Sequence, residues 1–141
     1  MTFAPSRVSS SSTWNGGSGK DELHLDKPAR CLILFNPQGI AAGIAIFLYN
    51  YNAWRGFPGI YLEDLFVREG ERGKGYGKLM MVELAKEVVA IKGGKLEWGV
   101  LKWNKSAIQF YEGLGGELMS EWVCMGMRGE PLVRLAGFLE G

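Results

Sequence analysis

An excess of charge of either sign, cysteines at close spacing and long apolar runs are all missing from this 141-residue chain. A formal net charge of +1 excludes a polycation that coats nucleic acid, and a hydrophobic fraction of 47% excludes a disordered chain. The two cysteines, Cys31 and Cys124, lie in apolar runs rather than at a metal or redox spacing, so they read as buried small hydrophobes in a reducing compartment. The single histidine, His24, lies in a polar stretch and reads as solvated. No apolar run reaches the roughly 18 residues a membrane helix needs. These absences predict one soluble, cytoplasmic domain. The Ser/Gly-rich stretch from Met1 to Lys20, with Arg7 and Lys20 and no acidic residue, leaves an organellar address as the alternative.

Residues 1–27 show no sustained period, and Ser9 to Ser12 and Gly16 to Gly19 hold too little apolar surface to offset ordering entropy; a disordered tail is expected there, with the folded domain over 28–141. Cys31 to Phe35 predicts a short buried strand, Asn36-Pro37-Gln38-Gly39 a turn, and Ile40 to Tyr51 a second strand, together an antiparallel hairpin. Asn52 to Gly59 reads as a loop and Tyr61 to Val67 as a third strand. From Leu79 to Lys92, apolar residues at Met80/Leu84/Val88 and Met81/Ala85/Val89 predict an amphipathic helix that Gly93-Gly94 stops. A strand over Lys95 to Leu101 follows, then a short helix capped by Asn104 and ended at Gly115-Gly116. Glu117 to Met127 reads as one bent strand or two, and Glu130 to Leu139 as a terminal helix with Pro131 in its first turn. A leading hairpin followed by strand-helix-strand units implies an α/β chain with a mixed sheet.

What the chain does have is Arg72-Gly73-Lys74-Gly75-Tyr76-Gly77-Lys78 between a strand and a helix. Glycines let an anion approach the backbone, and the first turn of a helix carries unpaired N–H groups, so the junction suits pyrophosphate. A Walker loop needs four residues between its first glycine and Gly-Lys, followed by Ser or Thr; three separate Gly73 from Gly77, and Leu79 follows Lys78. A dinucleotide loop would carry a third glycine where Lys78 stands and would follow the first strand of a parallel sheet.

Arg72, Gly75 and Gly77 do fit Arg-x-x-Gly-x-Gly, which resembles the pyrophosphate loop of the GNAT superfamily of acyl-CoA-dependent N-acyltransferases. The preceding Tyr61-Leu62-Glu63-Asp64-Leu65-Phe66-Val67, and Val100 to Asn104 with Ala107, Phe110-Tyr111 and Leu114-Gly115 after it, resemble the diamine (spermidine/spermine) acetyltransferase branch. The likeness spans Leu32 to about Ala136. It implies a largely antiparallel sheet flanked by helices and splayed at the acyl-CoA site, with acetyl-CoA as co-substrate and no metal. It further implies that the backbone of Leu65, Phe66 and Val67 pairs with the pantetheine arm. Arg72, Gly73, Lys74, Gly75, Tyr76, Gly77 and Lys78 would take the pyrophosphate, and Asn104, Lys105 and Ser106 would form the far wall. Members of the family open with a strand and two helices for which residues 1–30 show no pattern, so an N-terminally shortened member is expected, with apolar surface exposed where those helices belong.

Acetyl transfer to an amine needs a base for the ammonium proton and an acid for the departing thiolate. By resemblance Tyr111 is the acid and Glu63 contacts the amine, directly or through a water, while Asp64 meets a second cationic nitrogen or anchors a loop. Adjacent in a strand, Glu63 and Asp64 are expected on opposite faces. Trp98, Trp103 and Trp122 read as core or dimer-contact residues, and Arg128 to Leu132 resembles a junction where dimers trade contacts, implying a homodimer. The implied activity is acetylation of a polyamine, a diamine or a lysine-like small amine, with no nucleic acid or membrane partner. A protein amine as acceptor, or a catalytically weak acyl-CoA-binding or dimer-partner module, is the alternative.

Overall fold

A computed structural model describes residues 8–11 and 29–140, which fall into two compact units, Met1–Asn104 and Lys105–Gly141. The first unit holds a five-stranded sheet in sequence order: β1 (Val8–Ser11), β2 (Arg30–Phe35), β3 (Ala41–Asn52), β4 (Phe57–Val67) and β5 (Lys95–Trp98). Neighbours are antiparallel except β4 and β5, which run parallel and are joined through helix α1 (Tyr76–Ala90). Val8–Ser11 pairs with Leu34 to Cys31, so these four residues of the expected disordered tail are a strand. The rest of that tail, His24 included, lies outside the described residues.

The hairpin between β2 and β3 forms as expected. The loop over Asn52 to Gly59 shrinks to four residues, because the Asn52 Oδ1 accepts the N–H groups of Trp54 (3.1 Å) and Arg55 (3.2 Å) and closes a tight turn. Strand β4 therefore resumes at Phe57 and carries Pro58 within it.

Helix α1 packs its Met80, Met81, Leu84 and Val88 stripe on one sheet face, and the residues that register brings to that face, Leu34, Ala45, Phe47, Ile60 and Leu62, are buried with it. The approach is close: a Cβ on Gly43 would stand 2.8 Å from the Met80 methyl carbon. The periodic pattern found this stripe but missed the start of the helix, which lies three residues earlier because Gly75 at φ 81° serves as its N-cap. At the other end Lys92, at φ 55°, takes the left-handed position. Gly93 and Gly94 are there for room: a Cβ would stand 2.8 Å from the Pro58 carbonyl at Gly93 and 2.5 Å from the Phe57 ring at Gly94.

Tyr49, also on the α1 face, donates to the Glu87 carboxylate and lies under the Arg30 guanidinium, 4.9 Å from ring centroid to cation. Burial, followed by the Glu87 contact, pushes its phenol above the ordinary tyrosine value while Arg30 opposes the shift.

The second unit carries α2 (Lys105–Gly113) and α3 (Glu130–Ala136). Gly115 at φ 95° ends α2, with the Gly116 N–H closing on the Tyr111 carbonyl at 2.9 Å, as the double glycine predicts. Glu117 to Met127 is not a strand: a strand exists through a ladder partner, and this segment has none among the described residues. Cys124 is exposed and Cys31 half-buried, so neither cysteine has the full burial expected of it; Trp122 and Trp103 are exposed and Trp98 is half-buried, so none of the three tryptophans is fully buried in the core. The terminal helix starts on Glu130 with Pro131 in its first turn and stops at Ala136 rather than Leu139.

Candidate active site

The site begins where β5 ends. The parallel ladder runs from Gly59↔Lys95 to Leu62↔Trp98 and stops, whereas β4 continues to Val67, paired with β3 alone. Over Glu63 to Val67 the edge of β4 that faced β5 is therefore without a ladder partner among the described residues. An open edge of this kind accepts an extended, amide-bearing chain as a further strand.

At the same point β4 bulges. Asp64 pairs with Ile46 and Leu62 with Phe47, so Glu63 is one residue more than β3 supplies. Leu62 lies on the buried α1 side, Glu63 as its neighbour points away, and the register with Ile46 puts Asp64 on that same side. The expectation of opposite faces is corrected here. The extra residue breaks the alternation, and both carboxylates are exposed on one side at the mouth of the split.

Beyond Val67 a short 3-10 turn, Glu69–Glu71, leads into the glycine loop. Gly73 (φ 77°) and Gly75 (φ 81°) are both left-handed, and nothing lies within 4 Å of where a Cβ would stand at either. Their conformation demands glycine and the space beside them is open, which fits an anion cradle closed by the first turn of α1.

The loop's three cations differ in state. The Arg72 Nε donates to the Val67 carbonyl at 3.0 Å, with its guanidinium 5.7 Å from the Phe66 ring centroid, so this side chain folds back on the end of β4. Lys74 is held by the Glu71 carboxylate at 2.8 Å. Lys78 is exposed and makes no ion pair among the described residues. Tyr76 is 8% exposed, a core side chain that offers the loop its backbone alone.

One connection escapes the sequence. Glu71 is bonded by the Asn36 amide at 2.8 Å, from the turn between β2 and β3. Lys74, first, and then Asn36 hold the Glu71 carboxyl below the ordinary carboxylate range, and the Lys74 ammonium is raised in return. The signal available was Glu71 three residues before Lys74; nothing in sequence ties either to Asn36, 35 residues away.

Glu63 to Val67, Arg72 to Lys78 and Asn104 all belong to the first unit. The remaining candidates are on α2 in the second, where Lys105 and Ser106 are exposed in the first turn. Tyr111 is half-buried, its ring edge-on to Phe110 at 5.1 Å.

The chain is similar to several known proteins. It is 40% identical over 93 residues to an L-ornithine N5-acetyltransferase of Arabidopsis thaliana, covering 66% of this chain and 41% of that one. It is 38% identical over 106 residues to a thialysine N-epsilon-acetyltransferase of Bos taurus, covering 72% and 61%. The chain thus spans about 41% to 61% of the length of these two relatives. Among solved structures, an integron cassette protein from the mobile metagenome of V. cholerae superposes with a TM-score of 0.73 at 26% identity, covering 79% of this chain and 68% of that one. A ribosomal-protein-alanine N-acetyltransferase of Brucella melitensis shares the fold with a TM-score of 0.64 at 21% identity, covering 76% of each chain. Residues 5–115 match the model of the acetyltransferase (GNAT) family, a span that starts ahead of the boundary expected at residue 28. With the sheet, the split beyond Leu62 and the glycine loop all within that span, the chain belongs to the acetyltransferase (GNAT) family.

Proposed function

We propose that this chain transfers an acetyl group from acetyl-CoA to a primary amine, with a polyamine, a diamine or a lysine-like small amine as acceptor. The observation that carries the reading is the edge of β4 beyond Leu62 that has no ladder partner among the described residues; the strand runs directly into a loop of left-handed glycines and a helix N-terminus. An edge for an amide-bearing arm, followed by a cradle for phosphate, matches the two chemical halves of coenzyme A.

Acetyl-CoA supplies the chemistry of an activated acyl thioester; everything else falls to the chain. Leu65, Phe66 and Val67 offer backbone pairing to the arm, Gly73 to Lys78 cradle the pyrophosphate, and Asn104, Lys105 and Ser106 offer further polar groups to the cofactor. Glu63 takes a proton from the ammonium group, directly or through a water, freeing the nitrogen lone pair. As the new C–N bond forms and the C–S bond breaks, the attacking nitrogen releases its second proton to solvent, and Tyr111 gives its phenolic proton to the departing sulfur and recovers one from solvent. Asp64, on the same side as Glu63, attracts a second cationic group of the acceptor. Two exposed carboxylates suit a dication, and the relatives named for ornithine and thialysine act on amino acids that carry a side-chain amine.

A homodimer belongs to the same reading. The C-terminal unit exposes Trp122 (76%), Met125 (92%) and Phe138 (77%), side chains that a second copy would shield from water.

Thiol release from acetyl-CoA, measured against spermidine, putrescine, ornithine, lysine and a lysine-containing peptide, tests the function. Amine-dependent release of CoA with at least one small amine is expected. Tight CoA binding without release would make the chain a binding module, and release with the peptide alone would make it a protein acetyltransferase.

A further inference from the structure

Among the described residues, Asn36 is the one buried polar side chain on the route from the β2–β3 turn to the glycine loop, 7% exposed, with both its oxygen and its nitrogen hydrogen-bonded. Its Oδ1 accepts the N–H groups of Gln38 (3.1 Å) and Ile40 (2.9 Å), which builds the turn. Two converging N–H donors fix which end of the amide is oxygen, so the other end is the NH2 that donates to the Glu71 Oε1 at 2.8 Å. The second carboxylate oxygen of Glu71, Oε2, accepts from the Lys74 Nζ, also at 2.8 Å. A turn needs only the oxygen of Asn36. Its amide nitrogen serves something else.

We propose that Asn36 is a positioning residue for the phosphate loop: through Glu71 it holds the Lys74 ammonium where the pyrophosphate of coenzyme A arrives. The proposal rests on the reading of Gly73 to Lys78 as a pyrophosphate cradle. A free lysine side chain loses much rotamer freedom when it engages a phosphate, so one already held in place has less to lose. Glu71 left alone beside that cradle would repel the same ligand, and the Lys74 charge between them removes the repulsion. Besides Asn36 and Lys74, the Arg68 guanidinium also favours the ionised Glu71 carboxylate. Glu71 therefore stays charged at neutral pH, and the strut loses its ion pair only when pH falls below the ordinary carboxylate range.

The variant Asn36→Asp separates the two uses of the side chain. It keeps an oxygen for Gln38 and Ile40 and replaces the donated N–H with an acceptor facing the Glu71 carboxylate. Its KM for acetyl-CoA should rise about tenfold, the loss expected for one hydrogen bond to a charged group. Its kcat should stay near that of the parent protein. With acetyl-pantetheine, a thioester without the pyrophosphate, kcat/KM should not change; this donor also reports that the variant is folded. The double variant Asn36→Asp/Glu71→Gln reverses donor and acceptor: the new amide at position 71 donates to the new carboxylate at position 36, and its oxygen accepts from Lys74. Its KM for acetyl-CoA should return to within about threefold of the parent. Equal losses with both donors, an unchanged KM in the single variant, or no recovery in the double variant would each overturn the proposal. If the parent protein itself uses acetyl-CoA no better than acetyl-pantetheine, the cradle reading fails and the strut with it. A parent that discriminates beside a variant that does not lose affinity sinks the strut alone.

Discussion

Replacing Tyr111 with phenylalanine should lower kcat for acetyl transfer by about tenfold or more, since a positioned general acid contributes about 10² to 10⁴. The departing group is a thiolate whose parent thiol has a pKa of about 8.5, and a phenol of about 10 is only a slightly weaker acid, so a short hydrogen bond suffices to move the proton. The substitution removes one oxygen and keeps the ring that packs edge-on against Phe110. KM for acetyl-CoA should also hold, because the phenol acts on sulfur only as the bond breaks. A variant with unchanged kcat would make Tyr111 a packing residue of α2.

The second large effect is expected at Glu63. An alkyl ammonium has a pKa near 10, so at pH 7 only about one acceptor molecule in a thousand is free amine. Glu63→Gln should cut kcat/KM for the amine by about 10² at pH 7, within the range general base catalysis supplies. The loss should then shrink as pH rises toward 9, because each pH unit supplies tenfold more free amine from solution. Asp64→Asn should behave differently, raising KM for a dicationic acceptor while leaving kcat and the pH profile close to the parent. A Glu63→Gln loss that is constant with pH would show that Glu63 binds the amine but does not take its proton.

These two carboxylates also show where a single sequence stops informing. Alternation along a strand is a property of one chain, and it is what led to the expectation of Glu63 and Asp64 on opposite faces. A bulge is a property of two strands, and the extra residue at Glu63 shows only against the count on β3. The glycine loop was legible for a local reason: Gly73 and Gly75 stand in conformations other residues avoid. Its neighbour Tyr76 was not, because whether a tyrosine faces ligand or core depends on what packs on it. The strand expected at Glu117 to Met127 is a similar case, apolar enough for a strand yet without a ladder among the described residues. The turn after β3 failed through an underestimate of one side chain, Asn52, which closes in four residues what composition spread over eight.

The strut from Asn36 to Lys74 lay beyond reach for the same reason as the bulge. It joins the turn of a hairpin to a segment 35 residues later, and only the folded sheet brings them together. The splay itself is intermediate. Strand β5 and β4 were both read, but that their ladder ends at Leu62↔Trp98, leaving the rest of β4 open, is a matter of where β5 stops.

On the proposed function, coenzyme A docks as an added strand on that open edge. Amide hydrogen exchange of the purified chain, with and without CoA, tests it directly. Slowed exchange is expected in Leu65 to Val67 and in Gly73 to Lys78, with the β2–β3 ladder unchanged. Binding of CoA that leaves Leu65 to Val67 exchanging at the ligand-free rate would contradict it.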